Sequence, residues 1–262
     1  MTAAAFEPDG PHRFVPTETA VGPWDPRLVH GAALAALFAG RLTPTEGTLA
    51  RLTVELSAPV PHGPLDWSCT APAGGSRVQR QRGAVSVDGR EVASATSVVV
   101  RRTDLNLPAE VLDRPSPFDP GEAPALDEPN RQAGELIGWP CFDSTAVSVQ
   151  AMPAAGDHRL HQWIGLLVPI VAGEPLLRTE VAAVAADYAQ SAIHRRLSFS
   201  EWSFRNAELT VHLARTPVGR WVGLRAEGLV QPVGAGFNTS DLYDHDGPFG
   251  RSAAVVVVEP RS

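Results

Sequence analysis

Asp187 is the residue of this sequence best suited to general-base chemistry, because it is a carboxylate within the alanine-rich segment AAVAADYAQSA. Burying a carboxylate is costly unless it is paired, and a desolvated aspartate has a raised pKa that suits a general base. A second interpretation stays open. Glu180, Asp187, Ser191 and His194 fall on one side of the predicted helix, which is also the pattern of an ordinary amphipathic helix with a solvated face.

Ser191 and His194 follow Asp187 on that helix face and are candidates for contacting a ligand. His194 could orient a water molecule. It could equally lie in the last turn of the helix only because a histidine there interacts favourably with the helix dipole.

Three residues outside this helix could bind a water molecule or a carbonyl oxygen. The amide of Asn206 could hold either, so Asn206 joins Asp187 as a candidate catalytic residue, although a polar residue that opens a strand often only caps a turn. His30 and Gly31 precede an apolar segment predicted to be helical, and the N–H groups of a helix N-terminus favour developing negative charge. A glycine at the start of a helix could also be there for steric reasons alone.

Arg80 and Arg82 alternate in the run SRVQRQRGAV, so they are predicted to share one face of a strand. Such a pair could bind phosphate groups, although charged residues on an outer strand face are usually only solvated. His158 and His161 could suggest a metal site, but no third ligand is placed near them. We predict neither a metal nor a cofactor.

The composition excludes several classes of protein. All 22 basic residues are arginine, which excludes Walker-type phosphate loops and Schiff-base or pyridoxal mechanisms because these need a lysine. A net charge of −7 without a basic stripe argues against a nucleic-acid partner. No apolar run approaches the ~20 residues that cross a bilayer, and the N-terminus lacks the features of an export signal. We therefore predict a cytoplasmic protein without membrane insertion.

An internal repeat must position these residues. LTVEL begins at Leu52 and LTVHL at Leu209, and the pairs Asp88-Gly89 and Asp246-Gly247 follow these leucines by 36 and 37 residues. The alternation of apolar and polar residues predicts half-buried strands, and Asp-Gly predicts hairpins with type I′ turns. Each copy is therefore predicted to be an antiparallel meander.

One helical segment precedes each meander, at residues 29–40 and 175–197. The first is apolar on nearly every side, so it must be surrounded by protein. A proline-rich segment, 104–130, is predicted to be an extended linker between two units at 1–103 and 131–262. Because both copies of the repeat contain a helix followed by an antiparallel meander, we predict an α+β double hotdog. Its two sheets would abut edge to edge, with both helices inside.

The chain resembles the acyl-CoA thioesterase II group and the related thioesterase-like double hotdogs. The segments that carry the resemblance span most of the chain: VHGAALAAL, RLTVELSAPVPHGPL, DGREVASATSVVVRR, AADYAQ, FRNAELTVHLARTPVGRW and DGPFGRSAAVVVVEPR. The resemblance implies that water hydrolyses an acyl-CoA thioester without a covalent intermediate or a metal. It also implies that an aspartate, a threonine or serine, and a glutamine hold the water while backbone N–H groups polarise the carbonyl.

The resemblance matches these roles only in part. Asp187 stands where the helix carboxylate belongs. Asn206 or Ala207 occupies the hydroxyl position, and Ala254 or Val255 occupies the glutamine position.

Two functions therefore stay open. One is an acyl-CoA thioesterase that uses Asp187 with an incomplete catalytic set, and the other is a non-catalytic protein that binds acyl-CoA or an acyl chain. A hotdog hydratase has little support because no D-x-N-P-x-H run occurs. The resemblance also implies a homodimer, with acyl-CoA as the substrate or ligand, and it would let His30, Gly31, Ser191, His194, Arg80 and Arg82 contact that ligand.

Overall fold

A single antiparallel sheet runs through both halves of the chain. The structure is a computed structural model that describes residues 4–112, 128–151 and 159–261. In these ranges the strands are β1 (Phe6–Pro8), β2 (Arg13–Pro16), β3 (Thr48–Leu56), β4 (Leu65–Cys69), β5 (Ala73–Gly74), β6 (Val78–Val87), β7 (Arg90–Val100), β8 (Val147–Ala151), β9 (Leu160–Leu166), β10 (Trp202–Leu213), β11 (Trp221–Val230), β12 (Ala235–Asp244) and β13 (Gly247–Pro260). The helices are α1 (Gly31–Leu42), α2 (Ala109–Leu112), α3 (Arg131–Ile137), α4 (Phe142–Thr145), α5 (Arg178–Asp187) and α6 (Ser191–His194).

The strand order shows the repeat. It reads β1-β2-β4-β6-β7-β3 in the first half and β10-β13-β12-β11-β9-β8 in the second, with β5 paired to β6 off this path. Each half therefore follows the same path from its edge to the centre of the sheet. The two halves meet where β3 pairs with β10, which confirms the predicted edge-to-edge arrangement of a double hotdog.

The pairing of β3 with β10 is centred on repeat-equivalent residues. Thr53 pairs with Thr210, and each is the second residue of its copy of the LTV motif. Val54 pairs with Leu209 and Leu52 with Val211, so exchanging the two copies leaves the register unchanged. A local two-fold axis therefore passes through the Thr53–Thr210 pair.

The two long helices lie side by side and antiparallel inside the sheet. Gly31 at the start of α1 lies next to Asp187 at the end of α5, and Gly40 near the end of α1 lies next to Glu180 near the start of α5. Most of α1 is buried, as predicted, and so is all of α5 after Arg178. The first helix was predicted at residues 29–40 and is observed two residues later, at Gly31–Leu42.

The predicted second helix, 175–197, is not continuous, and its polar side is not solvated. It begins as α5 at Arg178, passes through a 3₁₀ turn at Tyr188–Gln190 and ends as α6. The side of α5 that carries Glu180 and Asp187 packs against α1, and these residues are only 4% and 3% exposed. The interpretation of these two residues as a wet helix face is therefore wrong, because the first copy's helix covers them.

The two Asp-Gly hairpins also differ. Asp88 and Gly89 have φ values of 51° and 76°, which confirms the type I′ turn in the first copy. In the second copy Asp244 pairs with Gly247, so the turn centres are His245 and Asp246. Neither of these has a positive φ, whereas Gly247, the residue after them, does. The predicted type I′ turn is wrong there, since a positive φ just after the turn is typical of a bulged hairpin.

The predicted linker is described only at its ends. Residues 104–112 contain the short helix α2, so this part is not wholly extended, and residues 113–127 lie outside the described ranges. None of the helices in the described part of the chain is long and apolar enough to cross a membrane.

Candidate functional site

A cavity of about 360 Å³ lies where the two half-sheets separate. Strand β3 ends at Leu56 and pairs with β10 only as far as Glu208, whereas β10 extends back to Trp202. The first half of β10 therefore diverges from the segment that follows β3. The ends of α1 and α5 reach the resulting gap, so Gly31, Asp187 and Asn206 all line the cavity.

Asp187 and Asn206 are in direct contact in this cavity. The Nδ2 group of Asn206 donates a hydrogen bond to Asp187 Oδ1 at 2.8 Å. Burial raises the pKa of Asp187, while His30 and this hydrogen bond lower it, and the net pKa lies above the usual aspartate value. The structure thus brings together the two candidate catalytic residues and gives the aspartate the electrostatic environment of a base.

His30 and Gly31 lie at the N-terminus of α1, facing Asp187. A Cβ atom on Gly31 would lie 3.6 Å from Asp187 Oδ1 and 3.3 Å from Leu56 Cδ1, so the backbone of α1 approaches the carboxylate closely. His30 is the N-cap of α1 and accepts a hydrogen bond from the N–H of Ala32 at 2.9 Å through Nδ1. The N–H groups of the first helical turn have no partner within the helix, so Gly31 offers a backbone donor to a ligand.

His30 also takes part in a buried polar cluster that the sequence did not suggest. Its Nε2 lies 2.9 Å from Asp143 Oδ2, and the hydroxyl of Tyr188 donates to Asp143 Oδ1. Burial lowers the pKa of His30, but Asp143 and Asp187 raise it by more, so it lies above its usual value. Burial raises the pKa of Asp143, but the contacts with His30, Tyr188 and Cys141 lower it by more.

A second cavity of about 270 Å³ adjoins the first and contains the remaining helix candidates, Ser191 and His194. Both cavities share a wall that includes Trp24, His30 and Gln190. Aromatic rings line part of the second cavity. Trp24 stacks on Phe199 at a centroid distance of 4.7 Å, and the ring centroids of His194 and Phe199 are 5.7 Å apart. Burial lowers the pKa of His194, which favours its neutral form.

Arg80 and Arg82 are not brought to either cavity. Both are on β6, where Arg82 is exposed and forms an ion pair with Glu91 of β7. Neither lines one of the two cavities. Of the two histidines that the sequence analysis rejected as metal ligands, His161 lies on β9 and His158 lies outside the described residues.

The positions where the resemblance places a glutamine carry no polar group. Ala254 faces the interior at 2% exposure, and Val255 faces outward at 50%. On the neighbouring strand, Asn238 lies directly opposite Ala254 and is fully buried, and its amide has no hydrogen-bond partner among the described residues. An amide is therefore present one strand away from the expected position.

Sequence reasoning missed Gln190, Asp143 and Tyr188. Gln190 lines both cavities, and the carbonyl oxygens of Gln190 and Asn206 are buried without a partner among the described residues. Gln190 follows Asp187 by three positions, a helical spacing that could have identified it. Asp143 had no such signal, because it lies far from His30 and Tyr188 in the sequence.

In the described part of the chain, two helix-and-sheet units join edge to edge, and the carboxylate of Asp187 is buried at the cavity between them. This is the arrangement of a double hotdog protein. The sequence model of the acyl-CoA thioesterase C-terminal domain family matches residues 113–258, which is more than half of the chain. The chain therefore belongs to this family. No curated protein sequence matches it.

Solved structures show the same fold over nearly the whole chain. A putative thioesterase from Novosphingobium aromaticivorans is 20% identical, with a TM-score of 0.68 and coverage of 97% of this chain and 98% of that one. A putative thioesterase II from Thermobifida fusca is 15% identical, with a TM-score of 0.67 and coverage of 99% and 98%. A tesB protein from Mycobacterium avium is 14% identical, with a TM-score of 0.67 and coverage of 97% and 96%.

Proposed function

We propose that this protein hydrolyses an acyl-CoA thioester with a water molecule activated by Asp187. The carboxylate accepts a proton from the water as the water oxygen attacks the thioester carbonyl carbon. The carbon–sulfur bond then breaks, the thiolate of coenzyme A takes up the proton, and the other product is a carboxylic acid. The observation that carries this proposal is the buried carboxylate of Asp187 beside the helix N-terminus at Gly31.

The neighbours of Asp187 supply the other parts of such a mechanism. The bond from Asn206 Nδ2 fixes the orientation of the carboxylate and leaves Asn206 Oδ1 free to accept a hydrogen bond from the water. Gln190 Oε1 offers a second acceptor in the same cavity. The N–H of Gly31 and the dipole of the 12-residue helix α1 would stabilise the developing negative charge on the carbonyl oxygen.

A second function is favoured by a specific observation, the apolar residues Ala254 and Val255 at the positions of the expected glutamine. A chain that lost this group could bind an acyl-CoA or an acyl chain in the cavity without hydrolysing it. The buried carboxylate of Asp187 beside Gly31 favours the enzyme over this alternative, whereas Asn238 lines neither cavity. In either case we expect a homodimer, as the family resemblance implies.

Thiol release from a panel of acyl-CoAs tests the proposal directly. The panel should run from short to long chains and include aromatic acyl groups, with wild type, Asp187→Asn and Glu180→Gln compared. We expect Asp187→Asn to lower kcat by about 10²–10⁴-fold, the usual contribution of a general base, while acyl-CoA binding stays within a few-fold of wild type. Glu180 is the other buried carboxylate of α5 and lies outside the cavity, so Glu180→Gln should keep wild-type turnover.

The pH dependence gives an independent check on the same residue. A base must be ionised, so kcat/KM should fall as the pH drops through the pKa of Asp187, and this acid limb should lie above the ordinary aspartate value of 3.8 because burial raises that pKa. Turnover that is equal in wild type and Asp187→Asn would refute the role of Asp187. The absence of thiol release from every substrate, with binding retained, would favour the binding protein.

A further inference from the structure

The segment that leads into α4 crosses from the second half of the chain onto the first. Trp139 Nε1 donates a hydrogen bond to the carbonyl of Gly22 at 3.0 Å, and the N–H of Phe142 donates to the carbonyl of Val21 at 2.9 Å. These bonds fix the segment against the loop that precedes α1. They place Asp143, the second residue of α4, beside the N-cap of α1.

Asp143 joins two helices that belong to different copies of the repeat. Its Oδ2 contacts His30 Nε2 at the start of α1, and its Oδ1 accepts from the hydroxyl of Tyr188 just after α5. His30 is 3% exposed and Tyr188 7% exposed, so solvent competes little for these bonds. The partners of Asp143 are the sequence neighbours of Gly31 and Asp187, the two groups that the proposed mechanism brings together.

The directions of the hydrogen bonds explain why this residue is an aspartate. The N–H of Ala32 donates to His30 Nδ1, so the imidazole proton must be on Nε2, which then donates to Asp143. Tyr188 also donates to Asp143, and the thiol of Cys141 points at Oδ2 from 3.8 Å. Every neighbour is a donor, and only an ionised carboxylate accepts from all of them without offering a proton of its own.

We infer that Asp143 is a positioning residue. Through His30 and Tyr188 it holds the N-terminus of α1 at a fixed distance and orientation from the carboxylate of Asp187. This inference rests on the proposed function, since it assigns Asp143 to the geometry of that same site. Asp143 lines the second cavity and not the cavity that contains Asp187, so in this role it acts through His30 and Tyr188. It fixes the tautomer of His30, and with it the cap that shapes the first turn of α1.

An asparagine at this position has nearly the same shape but the wrong hydrogen-bonding pattern. Its carbonyl oxygen can accept from only one of the two residues, and its NH₂ group faces the other: facing Tyr188 it can donate to the phenol oxygen, whereas facing His30 it meets another donor. If the NH₂ faces His30, the imidazole proton must move to Nδ1, where it opposes the N–H of Ala32. The first turn of α1 then loses its cap, and the Gly31 amide shifts relative to Asp187.

Kinetics of Asp143→Asn and Tyr188→Phe test the inference. A displacement of about 1 Å in an active site can lower the rate by about 10²-fold, so we expect kcat of Asp143→Asn to fall by about 10–100-fold with KM within about threefold of wild type. Tyr188→Phe should have a smaller effect. The double variant should be less impaired than the product of the two losses, because both residues act through one bridge.

A merely structural role would lower Tm without this kinetic pattern, so unfolding should be measured for each variant, and activity should be expressed per folded molecule. A folded Asp143→Asn enzyme with kcat within twofold of wild type would overturn the inference. A 10–100-fold rise in the KM of Asp143→Asn with kcat unchanged would also overturn the inference.

The tautomer of His30 provides a readout that does not depend on activity. In ¹⁵N-histidine NMR spectra of the full chain at pH 8, with His30 assigned by difference from His30→Asn, wild type should show a neutral ring protonated on Nε2, and Asp143→Asn should show either a shifted Nε2 signal or protonation of Nδ1, according to which group of the amide faces His30. An Nε2 signal that Asp143→Asn leaves unshifted, or protonation of Nδ1 in wild type, would refute the bridge. If wild type released no thiol, the proposed function would fail, and this spectrum would still decide whether the bridge exists.

Discussion

The two ends of the α1–α5 helix pair are related by the repeat but have opposite character. At one end Gly31 faces Asp187 at a cavity, where a Cβ atom would be in ordinary contact with Asp187 at 3.6 Å and in tight contact with Leu56 at 3.3 Å. At the other end Gly40 faces Glu180 so closely that a Cβ atom would overlap the carboxylate. One end is open and lined by polar groups, and the other is filled by a glutamate side chain.

The positions of these residues explain why a duplicated chain has one candidate site. Asp187 stands nine positions after the first residue of α5, and Gly40 stands nine positions after the first residue of α1. The local two-fold axis therefore places a glycine in α1 where α5 has its carboxylate. This agrees with the absence of any acid from the apolar part of α1, and Glu180 occupies the space that a second site would need.

Glu180 should make the filled end sensitive to pH. Burial raises its pKa to about 7, although the bond from the N–H of Leu177 and the charge of Arg41 lower it. The folded protein keeps the proton up to about pH 7, whereas the unfolded chain loses it near 4.5. Stability from this group is therefore complete below pH 4.5 and is lost as the pH rises to 7.

The largest expected effect on stability follows from this difference. Glu180→Gln stays neutral at every pH and can still accept from the N–H of Leu177, so it should raise the free energy of unfolding at pH 8 by up to about 3 kcal/mol, the equivalent of the pKa shift. Its advantage over wild type should vanish near pH 4. Urea unfolding of both proteins at pH 4, 6 and 8 measures this, and a constant difference across these pH values would contradict the assignment.

Gly40→Ala should have the next largest effect. The new methyl group would displace the Glu180 carboxylate from the N–H of Leu177, leaving buried polar groups unpaired at a cost of about 1–3 kcal/mol. The gain of about 1 kcal/mol from replacing glycine within a helix offsets only part of this cost. We expect a net destabilisation of about 1–2 kcal/mol in urea unfolding, with thiol release unchanged because Gly40 lies at the filled end.

A second background tests the cause. In Glu180→Ala protein the overlap is absent, so Gly40→Ala should become neutral or stabilising there. Gly31→Ala is the matched change at the open end, where its methyl group meets only Leu56 and Asp187 at 3.3 and 3.6 Å. It should alter kinetics more than stability. Equal destabilisation by Gly40→Ala in both backgrounds would show that Glu180 is not the obstacle.

Local patterns in the sequence predicted the parts of this fold that depend on a period or a repeat. The LTV motifs at Leu52 and Leu209 identified the repeat, and the apolar composition of residues 29–40 predicted a buried helix. The environment of α5 could not be found in this way. Its polar residues have the spacing of a solvated face, and only the packing of α1 against them shows that they are buried.

The candidate site was predictable where one element carries the signal and not where several elements converge. Asp187 and Asn206 were identified separately, and the structure adds their contact. Asp143 has no helical or strand spacing to His30 or Tyr188, because its role depends on how the segment before α4 crosses onto the first half. Arg80 and Arg82 share a strand as predicted, but sequence alone could not show that the strand lies away from the cavities.

The smallest expected effect concerns the boundary between the two halves. At the two-fold axis Thr53 Oγ1 lies 3.0 Å from Thr210 Oγ1, which also lies 2.7 Å from Glu208 Oε1. A single Thr53→Val change should destabilise the protein by at most about 1 kcal/mol, because cross-strand pairs contribute about 0.2–1 kcal/mol. The Thr53→Val, Thr210→Val double variant should recover part of this loss, since two valines pack well on facing strands.

Unfolding in urea, followed by both circular dichroism and tryptophan fluorescence, measures this change in stability and shows whether the two halves unfold together. The main-chain hydrogen bonds between β3 and β10 remain in both variants, and α1 and α5 still pack across the boundary. A single coincident transition is therefore expected in each case. If one hydroxyl change split the transition in two, the halves would be separate folding units joined mainly by the threonine pair. The position of Gly31 relative to Asp187 would then depend on the contact between Thr53 and Thr210.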